Sequence, residues 1–171
     1  MLCRVKTTPV KNQTAGDFCW IYAMLATIES EHIELGDSVN LSADFLCRAV
    51  IEDRLRHYYL SRGGEAWNGR GTCSDALLML QQYGLTHYDS FHSDANYGVL
   101  MRKLRKLADD AIARKDGLQH LTQRVSDMLD RDIHGRLQNV FMYGAIYTPQ
   151  EFARSMCRED EYVALTSFVH H

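Results

Sequence analysis

Proline is scarce in this chain: Pro9 and Pro149 are the two among 171 residues. With 11 glycines, the composition excludes a long disordered linker, and no internal repeat or low-complexity tract interrupts the sequence. The five cysteines, Cys3, Cys19, Cys47, Cys73 and Cys157, include no CxxC or CxxH spacing. That argues against a structural zinc site, and neither a metal nor another cofactor is predicted. An odd thiol count also disfavours a secreted disulfide framework and points to a reducing, cytoplasmic setting. A basic stripe with interleaved aromatics is missing and the net charge is −3, so a nucleic-acid partner has no support. The longest apolar run, residues 18–26, falls far short of the roughly 20 residues that span a bilayer. Lys6 and Lys11 ahead of it imitate a signal-peptide flank, but the run continues as an amphipathic helix to Leu35.

What is present is an ordinary globular balance, 46% apolar and 24% charged, enough for one domain or one large lobe over residues 1–171. Residues 1–18 read as an extended arm and loop, with turn chemistry at Gly16 and Asp17. From Cys19 to Leu35 the pattern is helical, with Trp20, Ala23, Met24, Ile28 and Leu35 on one side and Glu29, Glu31 and Glu34 on the other. Gly36 stops it. Ser42 caps a second helix, with Phe45, Leu46, Ala49 and Val50 at core spacing, ended by Gly63 and Gly64. A third begins near Ser74, turns Ala76, Leu77 and Leu80 inward and closes at Gly84. Leu100, Leu104, Leu107, Ala111 and Ile112 mark a long helix ending at Gly117. Leu121, Val125, Met128, Leu129 and Ile133 mark another, and the two read as a helical hairpin. TPQE at Thr148 to Glu151 is a capping box with proline at the first helical position. YVALTSFV near the end is the best strand candidate. The class predicted is α+β, mainly helical.

Chemistry concentrates in KNQTAGDFCW, where Gln13 stands six residues before Cys19 and Trp20 follows directly. This spacing resembles the signature of papain-like cysteine peptidases, whose nucleophilic cysteine opens a helix. The resemblance implies a papain-like fold of which this chain supplies the helical left lobe, with Cys19 as nucleophile. A free thiol has a pKa of about 8.5 and is mostly protonated at neutral pH. A helix N-terminus carries roughly half a positive charge and free N–H groups, which favour the thiolate. The backbone N–H of Cys19 and the Gln13 amide would then form an oxyanion hole.

LSADFL at Leu41 resembles the family's next helix opening, and NGRGTCSDALLMLQQYG resembles the loop and helix that border its substrate cleft. On that match Gly71 and Trp20 become substrate-binding candidates, Gly71 because an extended peptide must approach the backbone closely. A helical insertion at about residues 95–135 points to the bleomycin hydrolase and aminopeptidase C branch. Two positions depart from the pattern. Asp17 replaces a usual glycine and would disfavour the thiolate unless paired, and Phe18 replaces a small or basic residue.

Papain-like enzymes take histidine and asparagine from a strand-rich second lobe. None of His32, His57, His87, His92, His120, His134, His170 or His171 sits in a comparable context. The expectation is therefore a fragment that lacks its C-terminal lobe, acting on peptide or protein substrates when complete and inactive alone. A homo-oligomer is compatible with the branch. Two other readings remain open: a non-catalytic papain-like interaction module, and a Cys-dependent acyltransferase or deamidase of the same fold.

Overall fold

The computed structural model describes residues 5–142, 144–158 and 161–162. The expected strand YVALTSFV, residues 162–169, lies outside them from 163 on, as do Cys3, His170 and His171. The described chain is mostly helical with one small two-stranded sheet, an α+β composition. Helix α1 runs Cys19–Leu35, α2 Ala43–Leu60, α3 Cys73–Tyr83, α4 Tyr97–Arg114, α5 Leu118–Asp132 and α6 Pro149–Met156. Strands β1 (Val140–Met142) and β2 (Ala145–Tyr147) pair antiparallel between α5 and α6, Phe141 opposite Ile146. Helix α2 packs against α1, α3, α4 and α5, so its buried residues Leu46, Val50, Ile51 and Leu55 form the middle of the core.

Local chemistry sets most boundaries. Gly36 takes the left-handed conformation that closes α1, with φ +100°. Ser42 accepts from the Phe45 N–H at the start of α2, and Thr148 with Glu151 forms a reciprocal capping box on α6. Three boundaries move from the sequence reading. Helix α3 starts at Cys73 because Thr72 is the cap, boxed by Asp75. Helix α2 stops at Leu60, ahead of Gly63 and Gly64. Helix α4 ends at Arg114 because Lys115, with φ +58°, is its left-handed cap, which leaves Gly117 to cap α5.

The faces of α1 also need correction. Ile21 and Leu25 are buried beside Trp20, Met24 and Ile28, whereas Leu35 is 75% exposed. Glu29, expected to face solvent, is buried because it receives Lys11, the Thr8 hydroxyl and the Leu41 N–H. This carboxylate ties the N-terminal arm and the α1–α2 loop to one point. Lys11 also donates to the Leu41 carbonyl at 2.8 Å, so the arm is held just upstream of Gln13.

At the other end of α1, His32 joins Asp37 at 3.0 Å and the Met156 carbonyl at 2.6 Å, fastening α6 to the first helix. Burial opposes the imidazolium, but Asp37 and the Met156 carbonyl outweigh it and raise the pKa above its ordinary value. Among the described residues no helix is long and apolar enough to cross a membrane.

Candidate active site

Cys19 is the first residue of a 17-residue helix, and its thiol is free and exposed. The residue before it, Phe18, is the N-cap position and supplies no side-chain cap, and the first turn of α1 carries no acidic residue. The Ile21 N–H turns back to the Phe18 carbonyl at 3.0 Å, and no side-chain cap occupies the N–H groups of Cys19 and Trp20 ahead of it, where an anion is favoured. The other exposed helix-start cysteine, Cys73 on α3, has a different environment. There the Asp75 carboxylate accepts from the Thr72 N–H at 2.7 Å and its hydroxyl at 2.9 Å, placing a negative charge at the helix terminus.

The loop ahead of Cys19 is held from one side by residues 93–98. Thr14, at φ +53°, donates its backbone N–H to Asn12 Oδ1 at 2.9 Å and its hydroxyl to the Ala95 carbonyl at 3.0 Å. The Gly98 N–H donates to the Ala15 carbonyl. Phe18 is 1% exposed and meets Tyr97 edge-to-face, with ring centroids 5.2 Å apart. The Phe18 ring is accommodated in a space bounded by Tyr97 and Gly69. Half-buried Gln13 stands between the arm fixed by Lys11 and the turn fixed by Thr14.

Tyr97 in turn donates its hydroxyl to Asp44, a carboxylate of the first turn of α2 that is 4% exposed. Asp44 also accepts from the Ser93 N–H at 2.9 Å and contacts His92 Nδ1 at 3.2 Å and the Tyr22 hydroxyl at 3.4 Å. Burial, then the nearby Cys47 and Asp44, pushes the Tyr22 and Tyr97 phenols up, so both remain protonated donors. His92 belongs to this cluster and stacks on Tyr88.

On the other side lies the loop at 68–72. Trp20 donates its indole N–H to the Gly69 carbonyl at 2.6 Å. A Cβ on Gly71 would meet the Trp20 ring at 2.6 Å, and one on Gly69 would meet the Phe18 ring at 3.0 Å. Both glycines are thus required by side chains of this protein, an account of Gly71 that does not need a bound peptide. Trp20 is only 6% exposed, so it serves as the buried support of the loop and offers little surface to a ligand. Arg54, from α2, completes the support by donating to the Asn68 carbonyl at 2.6 Å and to the Arg70 carbonyl.

Three of the four sequence-predicted residues are thereby tied together: Cys19 and Trp20 on α1, and Gly71 packed on Trp20. Gln13 lies on the loop leading into them. Asp17, the suspected quencher of the thiolate, is half-exposed and faces Arg70 with a separation of 3.8 Å. Four histidines have partners elsewhere: His32 with Asp37, His57 with Asp53, His87 with Asp89 and His92 with Asp44. Sequence reasoning missed Asp44, Tyr97 and Arg54. The acidic residue two after the Ser42 cap was visible, but nothing local showed what it would bind. Among the described residues no group of three histidine, cysteine or acidic side chains forms a metal site. Neither protein-family models nor curated proteins give a match to this chain.

Proposed function

We propose that this chain is the nucleophile-bearing lobe of a papain-like cysteine peptidase, close in type to the bleomycin hydrolase and aminopeptidase branch. The observation that carries the reading is the uncapped N-terminus of α1 with the exposed Cys19 thiol as its first residue. In this reading the thiolate attacks a peptide carbonyl, an S–C bond forms, and the oxyanion is received by the Cys19 N–H and the Gln13 amide. Collapse of that intermediate expels the amine and leaves a thioester, which water then hydrolyses. The loop at 69–71, supported by Trp20 and Arg54, forms one wall of the peptide groove. Four of the described histidines have other partners, and this reading takes its general base from a second lobe, as papain-like enzymes do.

Acylation by an activated ester tests this reading without requiring turnover. With p-nitrophenyl acetate the thiolate forms the thioester and nitrophenolate leaves, so no base is needed to protonate the leaving group. One equivalent of nitrophenolate per chain is expected, followed by negligible turnover. Cys19→Ser should abolish the burst, and Gln13→Ala should slow it on the order of 100-fold. A burst that survives Cys19→Ser would place the nucleophile elsewhere. An unchanged rate in Gln13→Ala would remove Gln13 from the oxyanion site.

A further inference from the structure

The Asp17–Arg70 pair has little to contribute to stability. Its side chains are 52% and 81% exposed, and the atoms approach only to 3.8 Å, the kind of surface contact that adds next to nothing to folding. Its position is more informative. Asp17 is two residues before the Cys19 thiol, and Arg70 is one residue before Gly71, on the loop that Trp20 holds against α1. The pair therefore links the two segments that flank the nucleophile.

The two partners differ in rigidity. The backbone on each side of Asp17 is anchored, by Gly98 on Ala15 and by the buried Phe18 ring, and the side chain is short. The Arg70 backbone is also held, through Asn68 and Arg54, but its guanidinium lies at the end of a long, exposed chain. A short carboxylate on a fixed backbone can recognise a ligand at low entropic cost, whereas a long arginine can move aside. The carboxylate of Asp75, five residues after Arg70 in the chain, is already committed to the cap of α3. An unpaired anion at position 17 would also oppose a thiolate at Cys19, so Asp17 is compatible with that thiolate only while a cation faces it.

We propose that Asp17 is a specificity-determining residue whose carboxylate binds a cationic group of the substrate beside the bond attacked by Cys19. Arg70 is the resident cation that such a substrate displaces. The group is an ammonium or guanidinium, supplied by a free peptide N-terminus or by a lysine or arginine side chain. This inference rests on Cys19 being the nucleophile.

Aminoacyl chloromethyl ketones test it on the chain as it stands. The thiolate sulfur bonds to the methylene carbon and chloride leaves with the C–Cl electron pair. Rates of Cys19 modification are compared for norleucyl, acetyl-norleucyl, acetyl-lysyl and acetyl-glutamyl reagents, each normalised to iodoacetamide. Against acetyl-norleucyl, the free-amine reagent reports the N-terminus as the source of the cation, and acetyl-lysyl reports the side chain. One or both should react about fivefold faster, the size of one partly screened charge pair. Asp17→Asn should abolish that preference, and Arg70→Gln should increase it by removing the competitor. Equal rates, a preference that persists in Asp17→Asn, or fastest reaction with acetyl-glutamyl would overturn the proposal. If iodoacetamide itself favours Cys73 over Cys19, and Asp17→Asn does not reverse that order, the nucleophile assignment fails and this inference falls with it.

Discussion

Lys11→Met is expected to destabilise the protein by about 3–5 kcal/mol, the cost of leaving one member of a buried ion pair without its partner. Glu29 is 1% exposed and Lys11 15%, so removing the lysine strands a carboxylate that cannot reach water. Removing the glutamate is milder, because Lys11 keeps the Leu41 carbonyl and lies 5.3 Å from the Tyr88 ring centroid. The order Lys11→Met worse than Glu29→Gln follows from that asymmetry. The double variant should recover part of the loss, since no lone charge is then buried. Denaturant midpoints of the three variants check this, and a Lys11→Met cost below about 1 kcal/mol would show the pair behaving as a surface contact. The consequence for function is local: Lys11 holds the arm that leads to Gln13.

Phe18→Ala should cost about 3–5 kcal/mol, as expected when a fully buried aromatic ring leaves a cavity. For a chain of this size that lowers the melting temperature by roughly 6–20 °C. Phe18 fills the space between Tyr97 and Gly69, so the loss loosens both segments that flank Cys19. Phe18→Leu retains most of the volume and should cost less than half as much, at about 1–2 kcal/mol. Thermal unfolding of the two variants separates a packing role from a local backbone effect. Equal costs for alanine and leucine would mean that ring volume is not what the site requires.

These two residues illustrate how much of the molecule was legible in its sequence. Helix existence followed from periodicity: the buried series Leu100, Leu104 and Ala111 and the series Leu121, Val125 and Leu129 are those that spacing selects. The start of α1 at Cys19 and the capping box on Thr148 were equally readable, because both depend on residues within one helical turn. Burial of Glu29 was not readable, since charge patterning assigns a glutamate to solvent until a distant lysine and a loop N–H are known to arrive. The β1–β2 hairpin escaped for a related reason. Each strand is three residues long, too short for alternation to register. At the site, the Gln13, Cys19 and Trp20 spacing was visible, while the supports were not. Arg54 reaches across to residues 68–70, and Tyr97 reaches back from α4 to Asp44. Such contacts are made by tertiary structure and leave no mark on local spacing.

Competition among the thiols is the most direct measure of whether Cys19 is the nucleophile. Burial, then the charge of Asp44, pushes the Cys47 thiol well above its ordinary pKa. Burial, followed by Glu161 and Glu31, pushes Cys157 up to about 11. Neither offers thiolate at neutral pH. Among the described cysteines the informative contest is between Cys19 and Cys73, both exposed and both opening a helix. Substoichiometric iodoacetamide at pH 7, followed by peptide mapping, should label Cys19 first and ahead of Cys73. The physical reason is that α1 begins without a cap or an acidic first turn, whereas Asp75 occupies the start of α3. If Cys73 is labelled first in the folded protein, and Asp17→Asn does not restore labelling at Cys19, the nucleophile assignment is contradicted.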